Sequence, residues 1–491
     1  MSITKKRFSL MMAICAVILS SACLAAAQNF EVRVKISADS PNIIQMSGSL
    51  PEASKLNWSF LKSFAATDDL GARISNLQLF DEQNQPVAAK KLSDGEYLAD
   101  APAVNFQYQV AVEPPSKMMA KPRLSSTVAG EQGILMLDDL LPQISADNQP
   151  FAARIKIELP EDWRIYSSEQ ATGDGIYEVK NVGKAIFAVG VDWRETKTAN
   201  VNLIISGEWH FTDTEAAQMG GEIGDYYKNL FGEMPFEKAN IILARLPKET
   251  KFGRWKAETR GTTSMVFSAD QPFKARSIQF LHEQLRHELF HLWIPNNLNL
   301  TGNYDWFYEG FTVYQALRMG LKTNQIRFED FLATLAEAYN LDELQMNKVS
   351  LVESSKNRWS GVTPQIYARG MLVAFLCDTA ILKGNRGSRS VENIFQDVYR
   401  AHRFPNEAAD GNAAVLSVLR KYKSLQPIIE KYIEGAEKID WAGDLNAAGI
   451  EATVENSIVK LSVKTKPNRG QKDLLNELGY NNWRKISQES K

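Results

Sequence analysis

The chain has 491 residues, which is too many for a single hydrophobic core, so we expect two or three domains. Hydrophobic residues make up 44% of the sequence and charged residues 23%, which is typical of a globular protein and excludes a disordered one. The formal net charge is −2, so no global field would draw the protein to nucleic acid or to an anionic membrane. We therefore expect no nucleic-acid partner.

Residues 1–27 predict an export signal. Lys5, Lys6 and Arg7 precede the apolar run FSLMMAICAVILSSACL, and AAAQ offers a cleavage site after Ala27. We expect a periplasmic or extracellular protein without a transmembrane segment, because no later apolar run reaches the ~18 residues that span a bilayer. Two alternatives stay open, namely an uncleaved membrane anchor and a lipid attached at Cys23.

Residues 28–205 predict a β-rich N-terminal domain. Runs such as FEVRVKI, FQYQVAV and AARIKIEL alternate apolar and polar residues, as strands with one buried face do. Turn-forming clusters such as DEQNQP and SADNQP separate these runs. The pattern favours a β-sandwich-like domain, and no cluster of chemically active side chains stands out in it.

The pattern changes after the β-rich part. TEAAQMGGEIGDYYKNLFGEM predicts a helix, and KANIILARL and TTSMVFS predict strands. Further helices are predicted over 274–293, 306–320, 328–340, 367–382, 390–402 and 412–434. We divide this part into residues 206–345, a helical region at 346–452 and a short basic tail at 453–491, for which a solvated or partly ordered end is favoured over a binding patch. The whole predicts an α+β protein.

The stretch RHELFHLW carries a candidate metal site. His287 and His291 are four residues apart, so a helix directs both imidazoles to one side. In the pattern His-Glu-x-x-His, the two histidines bind zinc and the glutamate, here Glu288, acts as general base. With five histidines in the chain, composition alone predicts on the order of 0.003 such patterns. The alternative is two ordinary histidines of an amphipathic helix.

Glu309 is the candidate for a third ligand. A catalytic zinc usually has three protein ligands and one open position. Glu309 lies in the apolar stretch YDWFYEGFTVYQALRMG, where a buried carboxylate is costly unless it is paired or binds metal. A helix packed antiparallel to the first could bring it to the same ion, and the alternative is an exposed residue. We therefore expect one Zn²⁺ per chain, held by His287, His291 and Glu309. The other histidines are not expected to bind the ion: His210, His282 and His402.

These residues predict peptide hydrolysis. Zinc in such a site lowers the pKa of a bound water towards ~7. Glu288 would take the proton from that water and pass it to the leaving amine. The expected substrate is a peptide or a protein.

Beyond this site, the sequence resembles a known family. HELFHLW followed by WFYEGFTVY resembles the gluzincin metallopeptidases. Three further segments resemble the glycyl aminopeptidase family within that group: YKNLFGEMPFEKANIIL, IYARGMLVAFLCDTAILKGNRGSRSVENIFQDVYR and IEKYIEGAEKIDWAGDLNAAGIEA. The resemblance extends over 220–452 and implies a thermolysin-like, mainly helical catalytic domain after the β domain. It also implies that Tyr367 donates a hydrogen bond to the oxyanion, whereas from the residues alone a packing role is the default.

The sequence departs from the family in two places. The family's glycine-rich stretch ending in Glu-His, where the substrate's amino end is recognised, corresponds here to GRWKAETRGTTSMVF. Glu258 matches the glutamate and is the candidate for substrate binding, with a surface position as the alternative, but Thr259 replaces the histidine. Residues 453–491 are too few for the PDZ domain that commonly ends the family's chains, so we expect that domain to be missing.

Three functions are therefore compared. The first is an exported zinc metallopeptidase, cleaving either from the amino end or internally. The second is a catalytically silent relative that binds peptides or a protein partner, and the third is a gluzincin with another hydrolytic substrate. A silent relative typically lacks the general base or a ligand, and all four residues are present here, which favours the enzyme. No feature of the sequence indicates an oligomeric state.

Overall fold

The computed structural model describes residues 30–50, 55–65, 67–113, 124–143, 151–246, 250–358 and 363–482. The predicted export signal, with its cleavage site and Cys23, lies outside the described residues. Contacts divide the described residues into two compact units, which fall within Met1–Pro114 with Ser125–Val191 and within Pro115–Leu124 with Asp192–Lys491.

The described residues of the first unit form three β-sheets. In order across its width, the largest sheet contains Gln170–Gly173, Ile176–Val179, Ala153–Glu158, Phe30–Lys35, Ile43–Ser49, Asn105–Ala111, Ile74–Phe80 and Pro86–Val87. The second contains Arg164–Ser167, Ile186–Gly190, Gln132–Met136 and Thr127–Ala129, and the third contains Lys55–Ser59, Glu96–Ala103 and Ala89–Ser93. Short helical turns lie at Leu70–Arg73, Leu137–Leu140 and Val182–Lys184.

Alternation of apolar and polar side chains gives these strands one buried face, through which the sheets pack together. The strand Phe30–Lys35 buries every second side chain and exposes the charged ones between them. Val34 of the largest sheet, Val189 of the second and Trp58 of the third belong to one buried cluster. The predicted β-rich, sandwich-like N-terminal domain is confirmed.

The second unit contains a five-stranded mixed sheet. Its order is Trp193–Lys197, Val201–Ser206, Ala239–Arg245, Thr263–Ser268 and Trp255–Arg260. The three central strands are parallel and the two edge strands antiparallel. The predicted domain boundary at 205 cuts the strand Val201–Ser206, whose backbone pairs with Ala239–Arg245 in the second unit. The edge strand Trp255–Arg260 was not predicted, because WKAETR contains only two apolar residues, too few for a clear strand pattern.

Helices form the rest of the second unit. They are Asp213–Phe231, Lys274–Phe290, Thr312–Lys322, Phe328–Glu343, Leu351–Lys356, Thr363–Gly384, Val391–His402, Gly411–Leu419, Gln426–Ile428, Ala442–Ala447 and Arg469–Leu478. π-helical turns lie at Trp306–Phe311 and Ile429–Ile433, and a 3₁₀ turn lies at Lys423–Leu425. Two small strand pairs complete it: Leu300–Thr301 with Ala409–Asp410, and Ile450–Glu455 with Ile458–Val463. The α+β class is confirmed.

Two sequence expectations are wrong in detail. The helix predicted over 412–434 stops at Leu419 and is followed by short turns. Pro427 lies among these turns and offers no backbone N–H to a continuous helix. The basic tail, expected to be a solvated surface or a partly ordered end, contains the helix Arg469–Leu478, which buries Leu474, Leu475 and Leu478 on one face.

Three elements carry the candidate ligands, the candidate base and Tyr367. The motif helix is Lys274–Phe290, the glutamate helix is the π-helical turn Trp306–Phe311 continued by Thr312–Lys322, and the core helix is Thr363–Gly384. The core helix is long and apolar enough to span a membrane, but 89% of its most apolar segment is buried inside the protein. It therefore has the character of a core element of this unit.

The glutamate helix crosses the core helix at two glycines. A Cβ atom placed on Gly310 would lie 2.6 Å from the Cα of Gly370, and one placed on Gly370 would lie 2.7 Å from the Cα of Gly310. In both cases the added Cβ would clash with a backbone atom, and a change of side-chain rotamer cannot relieve such a clash. This crossing fixes the backbone of Glu309, the residue next to Gly310, against the core helix.

We predict that Gly370→Ala lowers the free energy of unfolding by about 1–3 kcal/mol, because the added methyl group forces the two helices apart. Urea denaturation would measure this difference. Gly384→Ala is the matched control in the same helix, since a Cβ there meets nothing within 4 Å. Equal stability of Gly370→Ala and the unsubstituted protein would contradict the close crossing.

Candidate metal centre

The motif helix brings its two candidate histidines together at its C-terminal end. The helix ends at Phe290, but His291 keeps a helical backbone with φ −63° and ψ −15°. The four-residue spacing therefore retains helical geometry, and the Nε2 atoms of His287 and His291 lie 3.0 Å apart. The predicted end of this helix at 293 is three residues late, and the chain turns before Pro295.

The π-helical turn of the glutamate helix supplies the third candidate ligand. The Oε2 atom of Glu309 lies 3.2 Å from Nε2 of His287 and 3.5 Å from Nε2 of His291. All three side chains are at most 13% exposed. A tetrahedral zinc with bonds of 2.0–2.1 Å separates its ligand atoms by about 3.3 Å. The spacing and the nitrogen and oxygen donors therefore fit zinc.

Hydrogen bonds orient two of these side chains. The Nδ1 atom of His291 lies 2.9 Å from the carbonyl oxygen of Ile294, so Nδ1–H donates there and Nε2 is left as the ligand atom. The Oε1 atom of Glu309 accepts a bond of 2.8 Å from Arg358, so its other oxygen faces the histidines. Burial disfavours the charged carboxylate, but the contacts with His287, His291 and Arg358 outweigh it and hold the pKa of Glu309 well below its usual range.

Arg358 links the candidate ligand to the candidate oxyanion donor. Its Nη1 atom donates to Asp305 at 2.7 Å, and its Nη2 atom contacts both Glu309 and the hydroxyl of Tyr367, the latter at 2.9 Å. The ring of Tyr367 has its centroid 6.4 Å from that of His287, so this tyrosine lies beside the metal ligands. Sequence reasoning missed Arg358, which is 49 residues from Glu309 and belongs to no motif.

Glu288, the candidate general base, is buried on the motif helix beside the two histidines. Its Oε2 atom lies 2.8 Å from the hydroxyl oxygen of Thr259 on the edge strand. Burial raises the pKa of Glu288 and outweighs the opposing effects of His287 and His291.

Glu258 lies on the same edge strand and remains 30% exposed. Its Oε1 atom is 3.7 Å from Nε of Arg260, two residues along the strand. Loss of solvation raises the pKa of Glu258 to about 6, with Glu288 and Glu309 contributing in the same direction. Glu258 is thus electrostatically coupled to the residues of the centre.

The other histidines lie elsewhere. His210 contacts Asp270 at 2.7 Å, and His282 is buried on the motif helix. Within the described ranges, the group His287, His291 and Glu309 is the one cluster of three suitable side chains close enough to hold an ion. The structure therefore brings together all the predicted ligands, with Glu288 and Tyr367 beside them.

Comparison with solved structures defines the class of fold. The chain is similar to an aminopeptidase N family protein from Idiomarina loihiensis, with a TM-score of 0.72 and 15% identity over 90% of this chain and 82% of that one. It is also similar to an M1 zinc metallopeptidase from Deinococcus radiodurans, with a TM-score of 0.52 and 13% identity over 84% of this chain and 95% of the other. A variant of that enzyme with a bound Tyr-Ser-Ala substrate gives a TM-score of 0.52 and 14% identity over 84% and 96%.

The protein therefore has the two-domain fold of the M1 zinc metallopeptidases, which are gluzincins, as the sequence resemblance implied. At these identities the likeness concerns the fold. No family model matches the sequence, and no curated protein matches it. The narrower resemblance to the glycyl aminopeptidase family stays a prediction.

We predict that Arg358→Met weakens zinc binding by about 10–100-fold, because the outer oxygen of Glu309 loses the donor that orients it. Competition with a chelator of known affinity would measure the change. Arg358→Lys should give a smaller loss, since an ammonium keeps the charge without the planar fork.

Lys356→Met is the matched control for this experiment. Lys356 is exposed two residues away and pairs with Glu353 at 3.0 Å, so zinc binding should be unchanged. Equal zinc affinity in Arg358→Met and the unsubstituted protein would refute the orienting role.

Proposed function

We propose that the protein is an exported zinc-dependent peptidase that hydrolyses peptide bonds with Glu288 as general base. The observation that carries this proposal is the convergence of His287, His291 and Glu309 within 3.0–3.5 Å, beside the carboxylate of Glu288. The fold shared with zinc metallopeptidases supports it. Export rests on the N-terminal sequence pattern, with lipid attachment at Cys23 as the alternative.

When bound, one zinc ion would supply Lewis acidity and lower the pKa of a coordinated water. His287, His291 and Glu309 would hold it and leave a fourth position for water or substrate. Glu288 accepts the proton of the attacking water and then delivers it to the leaving amine. Burial raises the pKa of Glu288, which brings it closer to neutral pH. A group with such a pKa can both accept a proton from water and release it to the amine.

In this proposal, Tyr367 would donate to the oxyanion that forms on the attacked carbonyl. Burial raises the pKa of Tyr367 well above its usual value, so the hydroxyl keeps the proton that it must donate. Arg358 holds that hydroxyl at 2.9 Å and thereby fixes it beside Glu309. A fixed donor stabilises developing charge without having to reorganise during the reaction.

The substrate in this proposal is a peptide or protein. One of the similar structures holds a Tyr-Ser-Ala substrate, which supports short peptides as ligands of the fold. Glu258 would bind the substrate's amino group, which favours an aminopeptidase. Its ion pair with Arg260 competes for the same carboxylate, so internal cleavage is the second form of the activity to test.

The alternative from another class is a silent relative that binds peptides without cleaving them. Such a protein typically lacks the general base or a metal ligand, whereas Glu288 and all three candidate ligands are present here. The retained Glu288 therefore favours the enzyme.

Glu288→Gln should keep one zinc per chain and lower peptidase kcat by about 10²–10⁴-fold, since the amide cannot accept the water's proton. Metal analysis and a peptide-cleavage assay on the same preparation would measure both. Loss of zinc together with activity would show only a damaged site, whereas activity equal to that of the unsubstituted enzyme would refute the proposed base.

Glu258→Gln tests whether Glu258 recognises the free amino end of the substrate. For peptides with a free amino end, kcat/KM should fall about 10–100-fold, the effect of losing a charge-assisted hydrogen bond. Acetylated peptides should be poor substrates for both proteins. Equal cleavage of free and acetylated peptides by the unsubstituted enzyme would contradict the aminopeptidase form, and no cleavage by the zinc-loaded protein would favour the silent relative.

A further inference from the structure

The hydroxyl of Thr259 is surrounded by three oxygen atoms. It lies 2.8 Å from Oε2 of Glu288, 2.9 Å from the carbonyl oxygen of the same residue and 3.0 Å from Oγ of Ser264. Thr259 and Ser264 are directly opposite each other on the two antiparallel strands. All three residues are buried.

Counting hydrogens assigns these contacts. A threonine hydroxyl has one hydrogen to donate, and an ionised carboxylate can only accept. The carbonyl oxygen of Glu288 already accepts from the backbone N–H of His291 at 3.1 Å. We therefore assign the hydroxyl of Thr259 as the donor to the carboxylate of Glu288. Ser264 can then donate its own hydrogen to the oxygen of Thr259, which completes a chain of hydroxyls that ends on Glu288.

The strand that carries Thr259 is itself fixed to the segment that follows the motif helix. The side-chain amide of Asn296 donates to the carbonyl oxygen of Thr259 at 2.8 Å, and its oxygen accepts from the backbone N–H of Gly261 at 3.3 Å. The backbone at Thr259 is thus held by the side chain of Asn296, and the backbone at Glu288 is held within the motif helix. A hydroxyl on a fixed backbone can orient its partner.

We infer that Thr259 is a positioning residue that holds the carboxylate of Glu288 in the orientation from which it accepts the water's proton. This inference rests on the proposed function for its catalytic consequence, while the contact itself does not depend on it. The same position was a departure from the glycyl aminopeptidase pattern, which has histidine there. Threonine provides a neutral hydroxyl that fits between the edge strand and the motif helix.

The kinetic test replaces Thr259 with its isostere. Thr259→Val removes the hydroxyl and keeps the shape, so kcat should fall about 10–100-fold, because a misoriented general base loses part of the ~10²–10⁴-fold that acid–base catalysis contributes. KM should stay within about twofold, because substrate contacts are unchanged. Thr259→Ser restores the hydroxyl and should recover most of kcat.

Two further measurements separate positioning from a structural role. The zinc dissociation constant of Thr259→Val, measured by chelator competition, should equal that of the unsubstituted protein, because Thr259 contacts no metal ligand. Ser268→Ala is the matched control. Ser268 lies on the neighbouring strand and accepts from Gln284 of the motif helix at 2.8 Å, so its loss removes a similar buried hydroxyl away from Glu288. It should leave kcat unchanged.

A double-substitution cycle in metal-free protein tests the contact without any catalysis. Thr259→Val should lower the thermal unfolding midpoint by less in a Glu288→Ala background than in the unsubstituted chain, because the partner is already gone. Equal lowering in both backgrounds would overturn the inference, even if the protein proved to be no peptidase. With an active enzyme, Thr259→Val with full kcat would overturn it as well, as would Thr259→Ser with no recovery.

Discussion

The carboxylate of Glu309 is the group on which the second unit depends. A buried charge on an apolar helix is costly unless opposite charges and hydrogen-bond donors surround it. Here one oxygen contacts Arg358 and the other faces two histidine nitrogens. The glycine crossing of the glutamate and core helices then fixes the backbone from which this carboxylate projects. Its position sets where an ion can bind.

Around that position, three neighbouring elements contribute the other residues of the site. The motif helix and the residue that caps it supply the two histidine nitrogens, and the same helix carries Glu288. The core helix carries Tyr367, and the edge strand carries Glu258 and Thr259. The ionic and hydrogen-bonded contacts run between these elements, so the side chains are oriented before any substrate arrives. Such prior orientation is what lets fixed charges stabilise a transition state.

Local patterns in the sequence were sufficient for part of this arrangement. The spacing of His287 and His291 follows from helical geometry alone, and the apolar surroundings of Glu309 made its carboxylate conspicuous. Alternating strands before the helices predicted the α+β class. Arg358 and the hydroxyl chain of Thr259 could not be found in this way, because their partners are remote in sequence and an isolated arginine or threonine carries no periodic signal. The edge strand was missed because only two of its residues are apolar, which is too weak a pattern to mark a strand.

The central claim is that His287, His291 and Glu309 hold one zinc ion with a position left open. Crystals of the zinc-loaded protein, measured on both sides of the zinc absorption edge, test it most directly. The account predicts one anomalous peak per chain in the second unit, about 2.0–2.2 Å from Nε2 of both histidines and from Oε2 of Glu309, with a non-protein fourth ligand. No peak at these residues, or a peak held by a different set of side chains, would contradict it.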